Sequence, residues 1–301
     1  LFIHAALAWI KQQHFARKRY FAYIALNAPH APYIAPERYK KRFLEAGYDK
    51  KTAGRYGMIE NIDDNFGLLW RKLNEWGALD NTILIFMTDN GMSMGTIQYK
   101  GKRLRAYNAG MRGLKNSPHE GGTHVPCFWY WKGVLPEGVD IPALTAHIDL
   151  YPTFCELIDA KLPPNVQKFD GRSLLPLLEN PEASWPERKL FIHCGRWKTS
   201  EGAAGAKYKK CAVRTPRWRF VNNSELYDMI ADPGQKNNVA SNYPEVVKSL
   251  RAAYEQWWQS VQPYLVNENQ PVIPPNKMPL AVRYYKQLKE RGIPLWEPPE
   301  L

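Results

Sequence analysis

Cysteine is scarce in this chain: four in 301 residues, at positions 127, 155, 194 and 211, with no C-x-x-C pair. That excludes a zinc-ribbon spacing and a dense disulfide framework. It leaves open whether Cys194 and Cys211 bridge a loop or are buried thiols. No apolar run approaches the roughly 18–20 residues needed to cross a bilayer; the longest candidate, Tyr20 to Leu26, is strand-sized. An internal repeat, an initiating methionine and a basic leader are also missing. The chain opens directly into an amphipathic stretch from Leu1 to Ile10, as the middle of a longer protein would. The missing targeting signal therefore says nothing about compartment. Acidic residues are outnumbered, 29 against 41 Lys and Arg, for a net charge of +12. Such an excess points to an anionic partner. The basic residues are dispersed and no nucleic-acid-binding motif accompanies them, which argues against DNA or RNA.

What is present is the composition of a globular protein, 45% hydrophobic and 23% charged, long enough for two domains. Residues 1–14 have helical apolar spacing, and 20–26 read as a buried strand. Pro29, Pro32 and Pro36 then enforce an extended loop. Tyr56, Ile59, Ile62, Phe66, Leu69, Leu73 and Trp76 recur every three or four residues and predict a long amphipathic helix that stops at Gly77. Thr82 to Met87 is a short continuous apolar run, as in a strand covered on both faces. This strand–helix–strand order predicts an α/β domain with a mainly parallel sheet flanked by helices. A loop rich in Gly, Lys and Arg follows from 91 to 123, then a strand at 125–131 and a helix at 143–160. Beyond Pro181, short strands at 190–193, 211–214 and 218–221 predict a small antiparallel sheet, with a helix over 243–261 packed on it. The expected domains are 1–185, 186–262 and a proline-rich wrapping tail over 263–301 that carries a basic helix at 280–291.

Three polar motifs fall where strands end, the ligand-binding edge of open α/β sheets. Asn27-Ala28-Pro29-His30-Ala31-Pro32 holds a histidine between prolines, as a stiffly placed ring or a surface cap. Thr88-Asp89-Asn90-Gly91 is either an Asx turn or a pair of hard oxygen donors for a cation such as Ca²⁺ or Mg²⁺. Lys115-Asn116-Ser117-Pro118-His119-Glu120-Gly121-Gly122-Thr123-His124 places a lysine in a Gly-rich loop, solvated or holding an anion.

In this order the three motifs resemble the formylglycine-dependent sulfatase family of the alkaline phosphatase superfamily. Glu60 to Gly67, His147 to Thr153, Phe169 to Pro176 and Glu225 to Gly234 extend the resemblance over about residues 18–260. The resemblance implies an alkaline-phosphatase-like fold and hydrolysis of sulfate monoesters. It also implies one divalent cation, usually Ca²⁺, with Asp89 and Asn90 as two of its ligands. His30 and Lys115 match the sulfate-contacting catalytic positions, and His30 can protonate the leaving alcohol as general acid. Related phosphatases and diesterases carry Asp-His where this chain has Asp89-Asn90, and an imidazole suits zinc; oxygen donors favour one hard cation and a sulfatase. A phosphoryl or phosphonate ester hydrolase and a non-catalytic sulfatase-like protein are the alternatives.

The family's Cys/Ser-x-Pro/Ala-x-Arg nucleophile motif is missing ahead of His30. Ser184 to Arg188 matches its five-residue pattern but follows the metal motif, and Glu187 sits where the family has a small residue. The expectation is therefore a C-terminal part of a sulfatase, inactive alone, with formylglycine installed elsewhere by a formylglycine-generating enzyme. By the same resemblance the whole protein is periplasmic, secreted or lysosomal. His119 and His124 share the Lys115 loop; His119 is a candidate substrate contact. His193, Arg196 and Trp197, at the first strand end of the small domain, suit a sulfated sugar through guanidinium and indole contacts. The basic loop with Lys100, Lys102, Arg103, Arg105 and Arg112 adds to that expectation of a carbohydrate sulfate over a small aryl sulfate.

Overall fold

The computed structural model describes residues 1–162, 166, 169–195, 197, 200–265, 273–292, 297 and 299–301. The chain divides into two compact units: Leu1–Thr82 with Thr96–Arg105 and Asn269–Leu301, and Ile83–Gly95 with Ala106–Glu268. The boundary expected near 185 falls inside the second unit.

In the first unit, α1 (Phe2–Phe15) buries Ile3, Leu7 and Ile10, one helical face, and packs on α3 (Lys50–Glu75). Asp49 caps α3 by accepting a hydrogen bond from the Thr52 amide at 3.1 Å, and Gly77 ends it at φ 69°, where glycine carries no Cβ penalty. The second half of α3 buries Leu69 and Leu73 as its periodicity predicts. The first half differs. It turns Thr52, Ala53 and Gly57 inward and leaves Ile59 46% exposed. The cause is close approach: a Cβ on Gly54 would sit 2.4 Å from the Tyr33 carbonyl oxygen. That contact seats the proline loop on the helix. α2 (Glu37–Ala46) follows that loop and packs beside α3.

Two expectations fail in this unit. Residues 20–26 form no strand of any sheet among the described residues. Phe21 is 70% and Tyr23 82% exposed; an apolar run becomes a strand only when a neighbour takes its backbone groups. The supposed long loop contains a hairpin, β2 (Thr96–Tyr99) and β3 (Lys102–Arg105). Lys100 and Gly101, both at positive φ, form its two-residue turn. The hairpin is tied down by Lys100 N–H to Gly47 O at 2.7 Å and Asp49 N–H to Gln98 O at 3.1 Å. α8 (Pro279–Arg291) completes the unit.

The second unit contains β1 (Leu84–Met87), α4 (Glu120–Thr123) and β4 (Cys127–Tyr130). β1 was expected in a parallel sheet. Its partner among the described residues is β4, which runs antiparallel with Leu84 opposite Tyr130 and Met87 opposite Cys127. The α/β class holds, but every pairing between described strands is antiparallel.

The helix expected over 143–160 shortens to α5 (Leu150–Leu157), preceded by a 3₁₀ turn at His147–Asp149. Asp149 is fully buried and explains why two of the later motifs belong together. Its carboxylate accepts from Ala146 N–H at 2.7 Å, Arg172 N–H at 3.0 Å and the Arg188 guanidinium at 2.7 Å. A Cβ on Gly171 would lie 1.9 Å from the Ile148 carbonyl oxygen, so only glycine lets the two segments close. Arg188, the last residue of the false nucleophile pattern, is consumed by this ion pair. α6 (Leu175–Glu179) then leads to the small sheet.

That sheet has the order β5 (Leu190–His193), β6 (Cys211–Arg214), β7 (Trp218–Val221), β8 (Glu225–Asp228), all antiparallel. β8 was not anticipated as a strand. Cys211, Val213, Phe220 and Leu226 project from one face onto Leu250, Tyr254 and Trp258 of α7 (Pro244–Val261). Strand alternation puts Ala212, Arg214, Arg219, Val221 and Tyr227 on the other face. His193 pairs opposite Cys211, and the Cys194 amide bonds to Lys210 O. Cys194 and Cys211 thus fall on opposite faces, and all four cysteines are free thiols.

Candidate active site

Asp89 and Asn90 leave the end of β1 in a turn whose backbone is held by the loop that carries Lys115. Gly91 N–H donates to Gly122 O at 3.1 Å, and Lys115 N–H donates to Met92 O at 2.9 Å. A Cβ at Gly91 would lie 2.0 Å from the Gly121 carbonyl oxygen, so the two loops meet at a distance only glycine permits. Gly121 and Gly122 serve the same closure from the other side, where added Cβ atoms would strike Gly113 O at 2.4 Å and Ser117 O at 2.3 Å. His147 Nε2 lies 2.8 Å from the Thr88 carbonyl. A carbonyl only accepts, so that nitrogen carries the proton and pins the start of the turn. The E-G-G-T glycines are thus a packing device that brings the Lys115 backbone to the Asp89–Asn90 turn, although 24 residues of sequence lie between Asn90 and Lys115.

Asp89 is exposed and Asn90 half-buried; the Asn90 amide donates to the Asp89 carboxylate. Both offer hard oxygen, which fits Ca²⁺ or Mg²⁺ better than zinc. Ca²⁺ takes roughly six to eight ligands. No group of three or more His, Cys, Asp or Glu side chains converges among the described residues. This chain's residues fit as part of such a donor set.

His30 belongs to the other compact unit. It is exposed, lies between cis peptides at Ala28–Pro29 and Ala31–Pro32, and its Nδ1 is 2.8 Å from Ala31 O. Nδ1 therefore carries a proton, and in the neutral ring Nε2 is the acceptor. A cleft of about 370 Å³ opens beside it, lined by Leu26, Asn27, Ile34, Met58 and Asn65 among others.

The far face of the small sheet supports the Lys115 loop. Arg219 of β7, 2% exposed, donates to the Glu120 carboxylate, to Pro118 O, and to Thr123 Oγ1 at 3.2 Å. Arg214 of β6 lies 3.5 Å and His124 3.1 Å from the same carboxylate. Burial alone would raise the Glu120 pKa. The hydrogen bond from His124 and the charges of Arg219 and Arg214 outweigh it and pull it down to about 2. Conversely, the bond to Glu120 raises His124, and burial lowers Arg219 to about 10 without discharging it. Gln235 completes the support: its Oε1 accepts from Glu120 N–H at 2.8 Å. None of Arg214, Arg219 or Gln235 was singled out from sequence. A charged residue at an inward position of the Trp218–Val221 strand was the available signal.

The remaining expected contacts are distributed otherwise. His119 Nδ1 lies 3.0 Å from Gln235 Nε2, with its ring edge-on to Tyr227. His193 Nε2 is 3.1 Å from Ala206 O, with its ring against Trp257 and Trp258. Trp197 packs on the hydrophobic cluster between the sheet and α7. Arg196 lies outside the described residues. Arg112, counted with the basic loop, is held by Tyr227, Glu225 and Gln235 O.

Comparison with known proteins gives a consistent picture. The sulfatase family profile matches residues 1–160, and that of the N-sulphoglucosamine sulphohydrolase C-terminal region matches 115–260. The chain is similar to the uncharacterized sulfatase YdeN of Escherichia coli K12, at 28% identity over 83% of this chain and 48% of that protein. It is also similar to N-acetylgalactosamine-6-sulfatase of Rattus norvegicus, at 30% identity over 78% of this chain and 41% of that one. Among solved structures, Ps i-CgsB superposes with a TM-score of 0.71 at 25% identity, covering 96% of this chain and 59% of its own. The same protein has been seen in complex with k-i-k-neocarrahexaose. The chain spans about half the length of the curated relatives it matches.

Proposed function

Because this chain belongs to the sulfatase family and has its alkaline-phosphatase-like fold, we propose that it forms the anion-holding part of a sulfatase that hydrolyses sulfate monoesters on a carbohydrate. The observation that carries this reading is the pair of backbone bonds that ties the Lys115 loop to the Asp89–Asn90 turn.

Cleavage of a sulfate ester must stabilise charge on the sulfuryl oxygens and on the departing oxygen. Lys115 would supply the cation, on a backbone tied to the Asp89–Asn90 turn, so its main chain need not reorganise as charge develops. Asp89 and Asn90 would supply two oxygens to one divalent cation, Ca²⁺ in this reading. When bound, such a cation adds Lewis-acid stabilisation. His30 holds its Nδ1 proton against Ala31 O. To protonate a leaving alcohol from Nε2 it must therefore be an imidazolium, which leaves a neutral ring oriented by the same bond. Formylglycine, the nucleophile that the family resemblance implies, would come from residues outside this chain, installed by a formylglycine-generating enzyme.

The carbohydrate assignment is supported by the net charge of +12, by β3, whose Lys102, Arg103 and Arg105 are all exposed, and by the names of relatives such as the N-acetylgalactosamine-6-sulfatase. A polyanionic chain would be steered by that charge, and capture should weaken as salt rises. The test uses the complete protein, co-expressed with a formylglycine-generating enzyme and assayed for sulfate release from defined sulfated oligosaccharides and from an aryl sulfate. Lys115→Ala should slow release by ~10²–10³ with the fold retained. Turnover of the aryl compound alone would refute the carbohydrate assignment. Release of phosphate in place of sulfate would refute the sulfatase assignment itself.

A further inference from the structure

We propose that Gln235 is a positioning residue of the Lys115 loop: its one side-chain amide both caps the Glu120 backbone and fixes the imidazole of His119 with its proton on Nε2. Its functional meaning rests on the reading of Lys115 as the anion-holding group.

Gln235 is 1% exposed and stands at φ 53° after the Asp232–Gly234 turn. Asp232 builds that turn by accepting Lys236 N–H at 2.6 Å and Asn237 N–H at 2.8 Å on its carboxylate. Its backbone carbonyl accepts Gln235 N–H at 3.0 Å. Arg112 donates to the Gln235 carbonyl at 3.2 Å, so the backbone of Gln235 is held on both sides. The side chain then crosses to a segment 115 residues earlier in the sequence.

A carboxamide has one oxygen, which accepts, and one nitrogen, which donates. The Glu120 N–H can only donate, so the atom facing it at 2.8 Å is the oxygen. The nitrogen is then obliged to face His119 Nδ1 at 3.0 Å. An amide N–H needs an acceptor, so Nδ1 is unprotonated and the neutral ring carries its hydrogen on Nε2. The orientation of the amide and the tautomer of the imidazole follow from a single backbone donor.

The surroundings favour the same state. The charged and titratable groups facing His119 are Arg112, Arg219, Glu225 and Tyr227. Burial, aided by the Arg112 charge, lowers its pKa against the weaker pull of Glu225. His119 thus remains neutral between two arginines, and the turn from Lys115 to α4 keeps one hydrogen-bond pattern. Protonation at Nδ1 would set two donors against each other and eject the Gln235 nitrogen.

The test uses the full chain labelled with ¹⁵N-histidine, with the His119 resonances identified by loss in His119→Asn. In the wild type, Nδ1 should show the unprotonated and Nε2 the protonated signature, with a titration midpoint below that of an ordinary histidine. Gln235→Glu keeps an acceptor for Glu120 N–H but offers no donor to Nδ1. It should move the proton to Nδ1 and raise the midpoint by ~1–3 pH units. Gln235→Met removes both bonds. It should speed amide exchange at Glu120 about tenfold, and Gln235→Glu should restore that protection without restoring the tautomer. A wild-type ring protonated on Nδ1, or a Gln235→Glu spectrum identical to wild type, would overturn the proposal. The wild-type spectrum decides even where a variant fails to fold. Sulfate release plays no part in these readouts, so a failed sulfatase reading would leave them intact.

Discussion

Replacing Glu120 by Gln removes the negative charge from a buried cluster that keeps Arg219, Arg214 and His124 around it. The carboxylate pKa falls from 4.5 to about 2 in the folded chain, which corresponds to ~3 kcal/mol in favour of the charged form. Removal of one partner from a buried pair costs about 3–5 kcal/mol, so the two routes agree in scale. Arg219 aggravates the loss, since its Nε is already buried without a hydrogen-bond partner. The pH dependence has a definite sign. A depressed carboxyl stabilises fully above its unfolded value of 4.5 and loses that contribution as pH falls toward about 2. Denaturant unfolding at pH 7 should therefore place Glu120→Gln about 3 kcal/mol below wild type. The gap should close between pH 4.5 and 2. His124, whose pKa is raised by the same carboxylate, adds stability below 6.5 that fades as pH climbs through its raised value; this slope should flatten in the variant. A gap under about 1 kcal/mol at pH 7, the scale of an exposed pair, or one that persists unchanged at pH 2, would refute the reasoning.

Two further outcomes follow from the loops. Gly91→Ala forces a methyl group into the Gly121 carbonyl and should cost ~1–3 kcal/mol. Exchange at the Lys115 amide should accelerate with it, and an unchanged melting temperature would contradict the close approach. Asp149→Ala leaves Arg188 buried without its partner and two backbone N–H groups without an acceptor. A loss of ~3–5 kcal/mol is expected, read by thermal unfolding; Arg188→Met in the Asp149→Ala background should recover part of it, and no recovery would show that the ion pair is not the cause.

Three of the four strands of the small sheet, and the helix on it, were legible residue by residue; β8 was not. β5, β6 and β7 begin and end where the sequence predicts, and α7 differs by a single residue at its start. Each has enough local periodicity to declare itself. The hairpin at 96–105 was not legible, because β3 is Lys-Arg-Leu-Arg with all four residues exposed and its pairing depends on a turn rather than on apolar alternation. Residues 20–26 show the opposite failure. Their composition is that of a strand, yet strand formation depends on a neighbour that composition cannot report. Within the site, Asp89, Asn90 and Lys115 were visible as motif residues. The reason for the glycines between them was not, since it lies in contacts with carbonyls far along the chain. Arg219 and Gln235 reach the loop across about a hundred residues, and no local pattern encodes that reach.

The small sheet has helix α7 on one face and the Lys115 loop on the other, so its two sides cannot be perturbed separately. Local opening of the loop would strip Arg219 and Tyr227 from their partners, and opening of the sheet would release the loop. Loop and sheet should therefore unfold as one cooperative unit, with amide protection at Gly121 and Gly122 approaching that of the sheet strands. Substitutions in α7 that touch no substrate, such as those at Trp258, would then present genetically as active-site lesions. They would lower the amount of competent protein while the surviving molecules keep an unaltered site. Kinetic assays normalised to folded protein would separate this class from true catalytic mutants.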